Sequence, residues 1–298
     1  MNKDGKAVGL LGIGLIGSTV ARRLLDAGFN VVGYDLDPAR REALRFLGGR
    51  PADSVAEVGR LCACVVLAVF NTVQVEDVVE GTAGLLSVIP SSGEPRVVIN
   101  LSTCEPERIV ALNARISDRA AFVEMPISGT TVQIAKGDGV GLVGGDPAAI
   151  ESADSVLAAI CPRRFTVGAV GTGGKAKLAV NLILGLNRAA LAEGIAFAEK
   201  IGLDPHAFLD VARGSAAYSQ VMDVKGLKMV DHDFVAYGKI VQSMKDFTII
   251  RECAQEAGQA LPFAEVYIEM LQGCIQAGEG DWDNSSIIEE IRRRTLPR

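Results

Sequence analysis

Strand-like apolar runs recur through the first 168 residues of this 298-residue chain and then stop. "AVGLL" (7–11), "NVVGY" (30–34), "CVVLAV" (64–69) and "RVVIN" (96–100) are each bounded by turn residues and separated by helical patterns. Such alternation is the mark of a parallel sheet, because each parallel strand needs a crossover, usually helical, before the next. Two helix starts are readable: Asp37-Pro38 offers an N-cap with proline at the first helical position, and Ser54 with Glu57 has capping-box spacing. "FVEMP" (122–126), "GVGLVGG" (139–145) and "RRFTVG" (163–168) continue the sheet, with a helix between Pro147 and Ile160. Beyond Gly174 the apolar period becomes 3.6, and "GLDPHAFLDVA", "KIVQSMKDFTIIRECAQEAG" and "FAEVYIEMLQGCIQAG" all read as amphipathic helices. Ser286 and Glu289 suggest another capping box near the end. The glycine-rich "VGAVGTGG" marks the change. The expected architecture is an α/β domain over residues 1–168, followed by an all-α domain over 169–298.

Composition narrows the function classes. A formal net charge of -6 argues against a nucleic-acid partner, which calls for a basic patch or stripe. Six cysteines lie without a CxxC pair, and the two histidines, His206 and His232, fit no metal-ligand spacing, so no metal site is expected. The opening "MNKDGKAVGLLGIG" is too glycine-rich, with too short an apolar run, for an export signal. The longest apolar stretch, Leu178 to Ala198, contains Asn181, Asn187, Arg188 and Glu193 and makes a poor membrane span. A reduced, cytoplasmic protein without a membrane partner is the expectation.

The first strand runs directly into Gly12-Ile13-Gly14-Leu15-Ile16-Gly17 and then a helix. The first glycine permits a tight turn, the second lets backbone approach a pyrophosphate, and the third lets helix pack closely on strand. Free N–H groups at the helix start then meet the negative charge. Alone the spacing is weak. Here a strand precedes it, a helix follows it, and Asp35 ends the second strand where a ribose-binding acid belongs. This predicts a Rossmann-type dinucleotide-binding domain. A carboxylate at Asp35 suits the 2′-hydroxyl of NAD and repels the 2′-phosphate of NADP, although Arg40 and Arg41 lie on the next helix within reach. Asn71, just past the third strand run, lies where loops meet the nucleotide.

Three further blocks follow in order: "LSTCEP" (101–106), "MPISGTTVQIAKGDGVGLVGG" (125–145) and "GTGGKAKLAVN" (171–181), with "KDF" (245–247) beyond them. With the dinucleotide loop they resemble the β-hydroxyacid dehydrogenases, the group of 3-hydroxyisobutyrate dehydrogenase and tartronate semialdehyde reductase, over nearly the whole length. The resemblance implies a long helix after Gly174 joining the two domains, an active site in the cleft between them, and a helical domain that builds a homodimer or homotetramer. It places Thr103 against the cofactor and Ser128 and Gly129 on a carboxylate substrate. It makes Lys177 the catalytic group and Asn181 a substrate ligand, and sets Lys245 over the cofactor, with Asp246 positioning a helix end. Thr130 departs from the pattern, standing where the family usually keeps a second glycine and adding bulk and a hydroxyl near the substrate.

Spacing on the helix also bears on the two lysines. Lys175 and Lys177 are two apart and cannot share a face, while Lys177 has Asn181 one turn on. Oxidising an alcohol needs a base for the hydroxyl proton. A lysine serves only if its pKa falls well below about 10.4, which burial in an apolar helix favours. The bland alternative is a surface lysine snorkelling from the first helical turn. The expected function is hydride transfer between a small 3-hydroxy acid, or the matching semialdehyde, and NAD, with NADP less favoured. Two rivals stand beside it: an imine reductase on the same two-domain plan, whose relatives generally lack this lysine, and a non-catalytic dinucleotide-binding module.

Overall fold

Strands buried on both faces need apolar side chains in succession rather than in alternation, and the first strand, β1 (Ala7–Leu11), is buried from Val8 to Leu11. In this computed structural model, residues 7–89 and 96–295 are described. The opening residues 1–6, part of the segment expected not to be an export signal, lie outside them.

The chain divides into two units, Met1–Lys177 and Leu178–Arg298, a later division than the glycine-rich boundary suggests. In the first, β1 is followed by α1 (Leu15–Asp26), β2 (Asn30–Tyr34), α2 (Pro38–Phe46), β3 (Arg50–Pro51), α3 (Val55–Leu61), β4 (Cys64–Leu67) and α4 (Thr72–Glu80). Next come β5 (Arg96–Asn100), α5 (Pro106–Ile116), β6 (Ala120–Glu124), β7 (Ile127–Ser128), α6 (Thr131–Lys136), β8 (Val140–Gly145), α7 (Pro147–Ile160) and β9 (Arg163–Gly168). The sheet order is β3-β2-β1-β4-β5-β6-β8-β7, with β9 on β8. From β3 to β6 all pairs are parallel. The order reverses at β1 and β4, so the loops after their carboxyl ends border the crevice where α/β sheets bind ligands.

The parallel pattern does not continue past β6. β8 runs antiparallel to β6 and β7, and only β9 returns parallel to β8. The reason is the connection: α7 is long enough for a crossover between β8 and β9, whereas β6 reaches β8 through β7 and the short α6. Two apolar layers flank the sheet, one under α1 and α7, the other under α3, α4 and α5.

Among the described residues the second unit is built of helices joined by loops, with one isolated β-bridge between Lys239 and Asp283. The 29-residue α8 (Thr172–Lys200) carries the chain into it, followed by α9 (Pro205–Arg213), α10 (Gln220–Val230), α11 (Ile240–Glu256), α12 (Pro262–Gln276) and α13 (Ile287–Arg293). By length and composition α8 passes for a membrane span. In the second unit, however, Leu191, Ala192, Ile195 and Ala196 belong to the helical core, and buried Arg188 donates to Tyr267 Oη at 2.7 Å. Gly185 is exacted by packing, since a Cβ there would meet the Phe247 ring at 2.5 Å.

The helix starts show which readings of local sequence hold. Asp37 caps α2 by accepting from Ala39 N at 2.9 Å. Ser54 caps α3 through Glu57 N at 3.1 Å, but the Glu57 carboxylate turns to Asp53 N at 2.8 Å, so only half of that box forms. The box expected at Ser286 and Glu289 is absent: Ser286 makes no side-chain cap. Buried Asp283 organises that turn instead, accepting from Ser285 N at 3.0 Å and from Lys225 Nζ at 2.7 Å.

Candidate active site

The loop between β1 and α1 is built for close approach. Gly12 has φ +91°, and a Cβ on Gly17 would lie inside the carbonyl of Gly12. Ile13 is buried and Leu15 exposed, and Ile16, the next residue, packs against the core. Asp35, 8% exposed at the end of β2, ties the loop down: one carboxylate oxygen accepts from Ile13 N at 2.7 Å, the other from Asp37 N at 2.9 Å. Arg40 Nη1 stands 3.5 Å from the same carboxylate, and Arg41 lies over the Tyr34 ring.

The start of α1 differs from most helix starts in this unit. α2, α3, α4, α6 and α7 each have a side chain accepting from a first-turn N–H. α1 begins at Gly14 without one, and the side of Gly14 where a Cβ would point is open but for Arg40 at 3.6 Å. Uncapped N–H groups at an open helix start, with the Asp35 carboxylate alongside, are the features that a nicotinamide dinucleotide site calls for.

Loops after the next strands are mutually braced. Ser102 Oγ donates to Val69 O at 2.7 Å, and Thr72 Oγ1 accepts from Glu105 N at 3.1 Å. Asn71 caps α4 through Gln74 N at 2.9 Å, so its carbonyl oxygen has a helix-capping task. Thr103 lies half-buried in the loop after β5, beside buried Cys104.

After β6 the chain reaches Ser128 and Gly129, the latter at φ +148°, and then Thr130. The Thr130 hydroxyl is engaged in a capping box with Gln133: its oxygen accepts from Gln133 N at 3.3 Å, while Gln133 Oε1 accepts from Thr130 N at 2.9 Å. A local reason for threonine here is therefore the start of α6.

Lys177 is 8% exposed, and its Nζ donates to Ile127 O at 2.8 Å, one residue before Ser128. The snorkelling alternative does not hold. Lys175 is the surface lysine, its side chain 60% exposed and 2.9 Å from Glu107. On the second unit's part of α8, Asn181 Nδ2 donates to Asp246 Oδ2 at 2.9 Å, and Lys245 Nζ lies 3.1 Å from Asp246 Oδ1. Asp246, which the resemblance sets to position a helix end, accepts from Asn181 on α8. It lies inside α11 and orients the Asn181 amide.

Residue by residue, the structure joins Lys177 to the Ser128 loop, Asp35 to the glycine loop, and Asn181 to the Lys245–Asp246 pair. Glu124 went unnoticed in the sequence. It is a charged side chain inside "FVEMP", an otherwise apolar run, and that is the signal that marks it.

Residues 7–169 match the NAD binding domain of 6-phosphogluconate dehydrogenase, and residues 171–291 match the NAD-binding family of NADP-dependent 3-hydroxyisobutyrate dehydrogenase. Among curated relatives, L-threonate dehydrogenase of Cupriavidus necator is 31% identical over 97% of each chain. The chain belongs to the β-hydroxyacid dehydrogenase family. Within it, 2-hydroxy-3-oxopropionate reductase of Escherichia coli is 25% identical over 95% of this chain and 96% of that one. A crystal structure of 3-hydroxyisobutyrate dehydrogenase from Salmonella typhimurium superposes with a TM-score of 0.86 at 26% identity, over 95% of this chain and 99% of the other. The chain itself is an oxidoreductase acting on CH–OH donors, with an NAD-binding domain over residues 7–169.

Proposed function

We propose that the protein interconverts a small 3-hydroxy acid and its semialdehyde or keto acid, using NAD in preference to NADP, with Lys177 as the general acid/base. The observation that carries this reading is a buried lysine whose amine lies at the foot of the Ser128–Gly129 loop. Ser128 and the Gly129 N–H hold the substrate carboxylate, and Asn181, its amide oriented by Asp246, binds the reacting end. In oxidation, neutral Lys177 takes the hydroxyl proton at Nζ. In reduction, the charged amine gives it back to the carbonyl oxygen. A bound nicotinamide supplies the hydride acceptor or donor.

The Gly12–Gly17 loop and the α1 start take the pyrophosphate, while Thr103, Asn71 and Lys245 border the dinucleotide. Asp35 supports the preference for NAD, since its carboxylate disfavours a 2′-phosphate. Large exposed apolar side chains on the second unit, among them Ile183, Phe197, Val211 and Phe263, support a homodimer or homotetramer, which light scattering checks. Six cysteines without a CxxC pair support a reduced, cytoplasmic setting.

The test is a panel of small 3-hydroxy acids with the matching alcohols that lack a carboxylate, run with NAD and NADP. At least one acid is expected to turn over, faster with NAD, and its carboxylate-free counterpart at least about 100-fold more slowly, the order expected when a charged pairing is lost. Equal turnover of acid and alcohol would sink the carboxylate assignment, and activity confined to imines would replace the substrate class.

A further inference from the structure

Glu124 ends β6 with a carboxylate that is 2% exposed, and it takes no part in the proton transfer above. It faces the first turn of α8. Glu124 Oε2 accepts from Gly171 N, and Oε1 accepts from Gly174 N at 3.2 Å. Thr172, which could have capped the helix, instead donates its hydroxyl to Ala169 O at 2.6 Å. The turn is also pressed hard against the sheet: a Cβ on Gly173 would lie 2.8 Å from Leu142 O and 3.1 Å from Glu124 Cβ. Three residues along each segment, Lys177 Nζ meets Ile127 O at 2.8 Å. Residues 124–127 and 174–177 are thus joined at both ends, by the Glu124 carboxyl at one and the Lys177 amine at the other.

We propose that Glu124 is a positioning residue for Lys177, its carboxylate pinning the Gly171–Gly174 turn to the end of β6 and so holding Lys177 Nζ beside the Ser128 loop. The proposal rests on the assignment of Lys177 as the proton carrier. The ionised carboxylate does this best, because both oxygens then only accept, as two facing N–H groups require.

Burial pushes Glu124 up to about 7, with the N–H groups of Gly171, Gly174 and Gly173 and the charge of Lys175 pulling the other way. Lys175 comes from α8 and is itself paired with Glu107 of α5. β5 and β8 present Asn100 and Gly144 in register with Glu124, and neither ionises. The clamp therefore tightens as pH rises through neutrality.

The test compares Glu124→Gln with the wild-type enzyme between pH 6 and 8, measuring kcat/KM in the reducing direction with the semialdehyde of the best panel acid. In parallel, Lys177 labelling by acetic anhydride is followed by peptide mass spectrometry and normalised to exposed Lys136. At pH 8 the variant is expected to be down about tenfold in kcat/KM, as follows from one pH step across a group near 7, with Lys177 labelled several-fold faster. At pH 6, where Glu124 is largely protonated, the two proteins converge. Differences that stay constant from pH 6 to 8, or none at all, overturn the proposal.

Labelling needs no substrate, so failure of the whole panel would discard the substrate reading while the Glu124 question is still answered. Should Glu124→Gln fail to fold, Lys175→Gln replaces it. Removing that facing cation from an exposed site is expected to move the pH dependence of Lys177 labelling upward, and an unmoved profile counts against the proposal.

Discussion

Two helices in the first unit begin at glycine-rich turns pressed against the sheet, and they are finished in opposite ways. At α1 a Cβ on Gly17 has no room against Gly12, yet no side chain caps the helix and the Gly14 side is open. At α8 a Cβ on Gly173 has no room against Leu142, but the N–H groups of Gly171 and Gly174 are taken by Glu124. Four N–H groups are left over at any helix start, and something must satisfy them. An open start can receive an anion from outside. A start sealed by the protein's own carboxylate fixes what the helix carries further along, here Lys177. The same glycine chemistry thus serves ligand binding in one place and side-chain placement in the other.

Lys177→Ala gives the largest expected effect. It leaves the sealed start in place but removes what that start positions. Turnover of the best hydroxy acid should fall by about 100- to 10,000-fold, the range for loss of a general acid/base, while NADH titration by fluorescence shows binding largely retained. Activity within tenfold of wild type would move the proton carrier elsewhere.

Gly17→Ala strikes the open start. Its methyl group must displace the Gly12 carbonyl, so dinucleotide affinity should drop at least tenfold by calorimetry, with a stability loss of about 1–3 kcal/mol for overpacking. Unchanged affinity would mean that the loop relaxes without cost, and the close-approach argument would fall.

The sealed start has a signature in stability as well. Glu124 titrates near 7 in the folded chain, above its ordinary value of 4.5. A raised carboxylate favours folding most at low pH, where it is protonated in both states, and loses that advantage as pH rises toward 7. Wild type should therefore lose stability relative to Glu124→Gln between about pH 4 and 8, by an amount on the order of 3 kcal/mol. Parallel melting curves across that window would place the Glu124 titration outside it. A carboxylate placed where its ionisation costs stability is a case of function drawing on stability at a working site.

Thr130→Ala is expected to do least. Loss of the α6 cap should cost about 1 kcal/mol and lower Tm by about 2–4 °C, with Thr130→Ser restoring most of it. A larger shift would show that the hydroxyl does more than cap.

Local chemistry was legible in the sequence. Alternating runs marked the strands, Asp37 and Ser54 marked helix starts, and the glycine spacing after β1 with Asp35 marked the dinucleotide loop, because caps, turns and periodicity act over a few residues. The spacing of Lys177 from Asn181 singled out one of two lysines for the same reason. What only tertiary structure decided is what distant segments do to one another. β8 turned antiparallel because α6 and β7 cannot cross the sheet. Asp283 displaced the expected Ser286 box because Lys225, 58 residues away, needs its charge. The Thr130 hydroxyl turned to its own helix, and Asp246 to Asn181, 65 residues away. Glu124 reads in sequence as one acid in an apolar strand. It acquires a task only when α8, 47 residues later, brings its unpaired N–H groups to that carboxylate. Hydrogen bonds and burial depend on proximity in space, and proximity across such distances along the chain is settled by the fold.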